Sequence, residues 1–216
     1  MNREKLLMDM FTAMQDVLGT SKWWHAESAF EVMVGAVLTQ NTNWNNVEKA
    51  INTLKQQDVL TPQALLALPQ DELATLIRPA GYYNVKAKRL QNLVRWFRDT
   101  ANYSFAALDT FSTEELRTEL LSVNGIGQET ADSILLYALN RPSFVVDAYT
   151  RRIFNRHSLV SEDIYYEELR DFFMDVLPED TQLFNKYHAL IVRVAKEWCL
   201  KKTPRCETCP LKIFLE

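Results

Sequence analysis

Apolar residues recur at three- and four-residue intervals through most of this chain, and strict alternation is nowhere sustained, so the elements it predicts are helices. Leu6, Leu7, Met10, Phe11 and Met14 form one stripe across residues 4–17. Residues 28–39 are mostly apolar and have the length of a buried helix, while 43–55 read as a more amphipathic one. Between 61 and 76 the pattern breaks at Pro69 into two short helices, one capped by Thr61 and one restarting at Gln70-Asp71. Arg78-Pro79-Ala80-Gly81 is a break. Residues 86–97 then turn Leu90, Leu93, Val94 and Phe97 to one side and most of their cations to the other. Ser112 and Glu115 have capping-box spacing at the head of a helix reaching Ser122. A Gly125-Ile126-Gly127 turn separates it from a partner over 129–139. Asn140-Arg141-Pro142 ends that helix, Phe144-Val145-Val146 is short and extended, and residues 149–156, 165–176 and 181–198 complete the helices. The fold class is all-α, with no internal repeat or low-complexity linker to mark a boundary.

Composition narrows the setting. With 47% hydrophobic and 24% charged residues the chain reads as an ordinary folded protein. No apolar run approaches the roughly 18–20 residues of a membrane span, and the opening MNREKLLMDMFTAM mixes acids with bases and lacks a cleavage site. A cytoplasmic protein without membrane contact is the expectation. The net charge of -4 argues against nucleic acid, but its distribution argues back. Residues 78–98 hold six Lys or Arg and no acid, 162–180 hold eight acids and one Arg, and 186–205 hold six bases to one acid. This unevenness fits either a positive face on an acidic protein or a solvated surface with patchy charge.

The glycine turn is where chemistry first becomes specific. Between two helices, Gly125 and Gly127 can adopt backbone angles that other residues avoid, and their missing side chains let a phosphate approach. The amides opening the second helix, from Gln128 to Thr130, then favour an anion. Such contacts position a protein on DNA without reading bases. A bare hairpin with no ligand fits the same residues. Beyond it stands Asp147, after an apolar run and at a plausible helix start. The three cysteines, Cys199, Cys206 and Cys209, all fall within the last 18 residues, which suggests a metal or cluster rather than a disulfide framework.

Taken together, Gly35-Ala36-Val37-Leu38-Thr39-Gln40-Asn41, Gly81-Tyr82-Tyr83-Asn84-Val85-Lys86-Ala87-Lys88, the hairpin, Val146-Asp147 with Arg152 and the terminal cysteines resemble the helix-hairpin-helix base-excision DNA glycosylases of the endonuclease III superfamily. The resemblance covers nearly the whole chain. Trp23-Trp24, the run from Arg78 to Asn84 and Gly127-x-Glu129 are most similar to the bacterial 3-methyladenine glycosylases. It implies a two-lobed fold: a six-helix lobe of residues 22–137, containing the hairpin at 113–139, and a second lobe from 1–21 and 138–216.

The resemblance also implies a reaction. A damaged nucleotide is flipped from duplex DNA and the bond between base and deoxyribose is hydrolysed. Asp147 would stabilise the positive charge left on the sugar, activate a water, or do both, while its alternative role is simply to cap the next helix. Trp24 and Trp44, supported by Trp23, would wall a base pocket in which indole faces favour a cationic alkylated purine. Gln40 and Tyr82 would fill or wedge the duplex. Gly125, Gly127, Gln128, Thr130, Lys86 and Arg152 would meet its backbone, with Arg152 alternatively ordering the segment after Asp147. His25 reads as an ordinary histidine or polar lining, and His188 as a packed or backbone-bonded residue rather than a metal ligand. Bifunctional members carry a lysine where this chain has Glu129, and a carboxylate forms no imine, so base excision without efficient strand cleavage is expected.

Cys199-x6-Cys206-x2-Cys209 matches the first three positions of the family's iron-sulfur loop, but the fourth falls on Leu215. A [4Fe-4S] cluster with an incomplete ligand set, zinc, or a degenerate loop without metal all fit. The expected partner is damaged double-stranded DNA bound by one protein chain. Two other functions remain open, an endonuclease III-like glycosylase and lyase for oxidised pyrimidines and a noncatalytic DNA binder.

Overall fold

Side-chain oxygens set most helix starts in this protein. Asn2, Ser28, Asn43, Thr61, Ser104, Ser112, Asp147 and Asp180 each accept a backbone N–H from the turn that follows, satisfying donors that a helix leaves unpaired. The computed structural model describes residues 2–19 and 26–215. Its helices are α1 (Arg3–Leu18), α2 (Ala29–Leu38), α3 (Trp44–Gln56), α4 (Pro62–Ala67), α5 (Gln70–Leu76), α6 (Tyr83–Ala101), α7 (Phe105–Leu108), α8 (Thr113–Ser122), α9 (Gln128–Ser133), α10 (Ala148–Arg156), α11 (Tyr166–Met174) and α12 (Thr181–Glu197). The described residues contain no β-strand, so the protein is all-α. None of these helices is long and apolar enough to cross a membrane.

The chain divides into two compact units, Ala26–Arg141 and Met1–His25 with Pro142–Glu216. In the first, α2 is the spine. Every residue from Phe30 to Leu38 is buried, and the single charge among them, Glu31, is met by Lys55 Nζ at 3.0 Å. Helices α3 and α6 pack on α2, α5 lies along α6, and α8 pairs with α9. The second unit is built on aromatic rings. Phe144 and Phe173 stack with centroids 4.1 Å apart, and Phe184 and Tyr187 stand edge-on to Phe144. Tyr187 on α12 donates its buried hydroxyl to Leu7 O on α1 at 2.8 Å, while α10 packs along α12.

Three local features depart from the sequence reading. Helix α6 opens at Tyr83 rather than at 86, because Tyr82 turns into it with a left-handed φ of 47° and its carbonyl accepts Lys86 N. Helix α7, a single turn capped by Ser104, carries too few residues to show a period. The helix begun at α9 does not continue regularly. It widens into a π-turn over Ile134–Ala138, with Leu139 N donating to Ile134 O.

Candidate nucleic-acid interface and catalytic carboxylate

In the Ala26–Arg141 unit the hairpin is clamped on three sides. Ser112 and Glu115 form the expected capping box at the head of α8. Arg117 of α8 pairs with Asp132 of α9 through two contacts, Nε to Oδ1 at 2.8 Å and Nη2 to Oδ2 at 3.2 Å. From α6, Asn92 Nδ2 donates to Asn124 O at 2.9 Å, and the Arg89 stem lies across the turn.

Gly125 is required on two counts. Its φ is +99°, and a Cβ there would come within 2.3 Å of Arg89 Cγ. Gly127 is different, since its φ of -96° suits any residue and a Cβ would meet nothing within 4 Å. The expectation that both glycines serve unusual backbone angles is therefore corrected. Only Gly125 does so, and Gly127 contributes open space in front of α9.

Gln40, expected to approach the duplex, is engaged inside the protein instead. Its Nε2 donates to Gly125 O at 3.1 Å and Thr130 Oγ1 at 2.9 Å, and its Oε1 accepts from Arg89. Gln40 braces the turn. Thr130 is correspondingly buried with its hydroxyl in use, so a backbone role there belongs to its amide rather than its side chain. Gln128 and Glu129 stand in the first turn of α9, half-buried and exposed respectively.

Lys86 does not face a phosphate. It is 1% exposed, and its Nζ donates to Leu38 O and Ala80 O, each at 2.8 Å. Burial, and then the nearby Arg89 cation, pull its pKa down to about 8. The apolar periodicity of α6 could not reveal this, because a lysine inside an apolar stripe reads as a surface charge until its carbonyl partners are known. Lys88, two residues on, is exposed, and with Asn84, Val85, Arg89, Asn124 and Gly125 it lines a recess beside the hairpin turn. Tyr82, 71% exposed, and Val85, 50% exposed, project near the start of the same helix. Trp44 opens α3 and is half-buried, while Trp23, Trp24 and His25 lie outside the described residues.

The carboxylate belongs to the other unit. Val145 and Val146 are 1% exposed and anchor the chain as it enters α10, where Asp147 occupies the N-cap. Its Oδ1 accepts Thr150 N at 2.7 Å and Thr150 Oγ1 at 2.9 Å. Its Oδ2 faces His188 Nε2 of α12 at 3.5 Å. Burial works to raise the Asp147 pKa, but His188 opposite Oδ2 and the Thr150 bonds outweigh it, leaving the group below its ordinary value and ionised at neutral pH. Capping thus occupies one oxygen of the side chain and leaves the other toward α12. From the sequence His188 is expected to be packed or backbone-bonded, and no local pattern links α12 to the start of α10.

Arg152 is also corrected as a phosphate ligand. Its Nε donates to Cys199 O at 2.8 Å and its Nη2 to Ala195 O at 3.3 Å, so its role is to order the chain end. Arg156 adds bonds to Leu200 O, Lys201 O and Cys199 Sγ, and His157 Nδ1 lies 3.1 Å from Phe214 O. Cys199 and Cys209 are buried and Cys206 is exposed. Burial raises the Cys209 pKa. Among the described residues no group of three or more His, Cys, Asp or Glu is gathered to hold a metal ion. With Leu215 at the fourth position, the residues do not fit a four-cysteine cluster.

An all-helical chain with a glycine-turned hairpin and a helix-capping aspartate has the architecture of a helix-hairpin-helix protein. The chain belongs to the HhH-GPD superfamily of base excision DNA repair proteins, whose pattern matches residues 34–179, and is a DNA repair glycosylase within it. It is 48% identical over 99% of its length to a Methanocaldococcus jannaschii protein that is itself a DNA repair glycosylase by assignment only, of which 97% is covered. It is 31% identical to endonuclease III of Thermotoga maritima, covering 87% of this chain and 82% of that one. The solved structure of the H. pylori 3-methyladenine DNA glycosylase bound to 1,N6-ethenoadenine matches with a TM-score of 0.75 and 28% identity, over 91% of this chain and 98% of that one.

Proposed function

We propose that this protein hydrolyses the N-glycosidic bond of alkylated purines, 3-methyladenine foremost, in duplex DNA, without efficient strand cleavage. The observation that carries the reading is Asp147: one oxygen anchors it to α10 and the other remains beside His188 in ionised form. As the C1′–N bond breaks, its electron pair leaves on the base and C1′ becomes positive. The Asp147 carboxylate stabilises that charge, and as water bonds to C1′ its proton passes to Oδ2. An alkylated purine, already cationic, leaves as a neutral base, so this site needs no separate acid for it. The hairpin and Lys88 hold the backbone, Tyr82 wedges the duplex where the nucleotide flips out, and Trp44 with Trp23 and Trp24 supplies aromatic faces for the base. The likeness to the H. pylori enzyme supports this substrate class.

A second reading, an endonuclease III-like enzyme for oxidised pyrimidines, draws on the Thermotoga maritima relative. Glu129 stands against its lyase step, because a carboxylate cannot form the imine that cleaves the strand. Parallel assays on methylated duplex DNA and on duplex DNA holding an oxidised pyrimidine, each with borohydride trapping, separate the two. The alkyl-purine reading expects base release from the first substrate with no trapped adduct. Release from the second alone, or a trapped protein–DNA adduct, overturns it.

A further inference from the structure

We propose that His188 is a positioning residue for the reaction, holding Asp147 Oδ2 in place from α12. The inference rests on the reading of Asp147 as the catalytic group. Its geometry is independent of that reading. Thr150 fixes Oδ1 from within α10 but leaves Oδ2 to be placed by something outside that helix. Among the described groups, His188 lies 3.5 Å from that oxygen, and both side chains are nearly buried, at 8% and 13% exposed.

The surroundings give this contact little competition. Among described groups, His188 and Thr150 are the polar side chains that act on Asp147. Of the cations on α10, Arg151 is exposed and Arg152 and Arg156 are turned to the carbonyls of the chain end. On α12, the Tyr187 hydroxyl is spent on Leu7 O, and Arg193 is spent on Leu18 O and Glu197. A buried carboxylate without a donor or cation beside it tends to take up a proton, and a neutral acid stabilises no positive carbon. His188 opposes that tendency where the protein's own burial creates it.

The test is the single-turnover rate of base release from methylated duplex DNA across pH, for the parent protein, Asp147→Asn, His188→Ala and His188→Gln, with DNA affinity and melting temperature alongside. His188→Ala is expected to slow release at least about tenfold near neutral pH and to move the acid limb of the profile upward, with DNA affinity unchanged. His188→Gln, which restores an N–H donor, is expected to recover part of the rate above that limb. An unaltered profile in His188→Ala overturns the inference. So does an equal slowing at every pH that the glutamine variant fails to relieve and a lowered melting temperature accompanies, since that marks packing alone. Full release by Asp147→Asn instead removes the underlying catalytic reading, so the two failures are distinguishable.

Discussion

Arg117 and Asp132 close the hairpin from inside, pairing α8 to α9 through two hydrogen bonds with the Asp132 side chain wholly out of solvent. A planar guanidinium against a carboxylate fixes the angle as well as the distance between the two helices. Removing one partner strands the other's charge in the interior. Asp132→Asn is therefore expected to cost about 3–5 kcal/mol of folding stability. Denaturant melts measure this, and an unchanged midpoint would mean that the pair contributes nothing to the hairpin.

The two glycines of the turn predict opposite signatures. Gly125→Ala forces a side chain into a positive-φ position and against Arg89, a strain of about 1–3 kcal/mol that lowers stability and DNA affinity together. Gly127→Ala meets no neighbour in the protein, so its melting temperature is expected to hold while its methyl group intrudes where phosphate approaches. Loss of stability in Gly127→Ala, or DNA binding that survives both substitutions, contradicts this division.

Lys86 and Lys88 lie two residues apart and should behave unlike each other. Lys88→Ala is expected to weaken DNA binding and reduce the slope of log affinity against log salt by about 1. Lys86→Met should leave that slope alone and instead cost about 1–3 kcal/mol, because Leu38 O and Ala80 O lose their donor. Unfolded, this lysine keeps its proton to about pH 10.4. Folded, it releases the proton near 8. Unfolding therefore takes up a proton between those values, so the Lys86 contribution to stability rises with pH across that window and falls as pH drops toward 8. Melts of the parent and Lys86→Met at pH 8 and 10 should diverge in the parent's favour at the higher pH, and parallel curves would contradict the assignment.

Arg152, Arg156 and His157 hold the chain end through its backbone carbonyls. Prolonged chelation is expected to leave the melting temperature and base release unchanged, whereas Arg156→Ala should expose the loop to proteolysis. Sensitivity to chelation would restore a metal to the loop.

The helices were legible because burial imposes a period and because Ser112, Thr61 and Asp147 announce helix starts with their side chains. The hairpin was legible for the same local reason. What escaped the sequence was set by long-range partners. Lys86 shares its spacing with surface lysines and differs only through two distant carbonyls, and Gln40 is drawn from the expected duplex contact by Gly125, Thr130 and Arg89. His188 meets Asp147 because α12 packs on α10, a fact of tertiary packing that no pattern within either helix records.

The most direct measurement is release of free 3-methyladenine from methylated duplex DNA by the parent protein and by Asp147→Asn, with strand nicks counted separately. Release by the parent, its loss in the variant at undiminished DNA affinity, and no nicks in either is the predicted result. DNA bound tightly by a parent that releases no base, or equal release by both proteins, would contradict it.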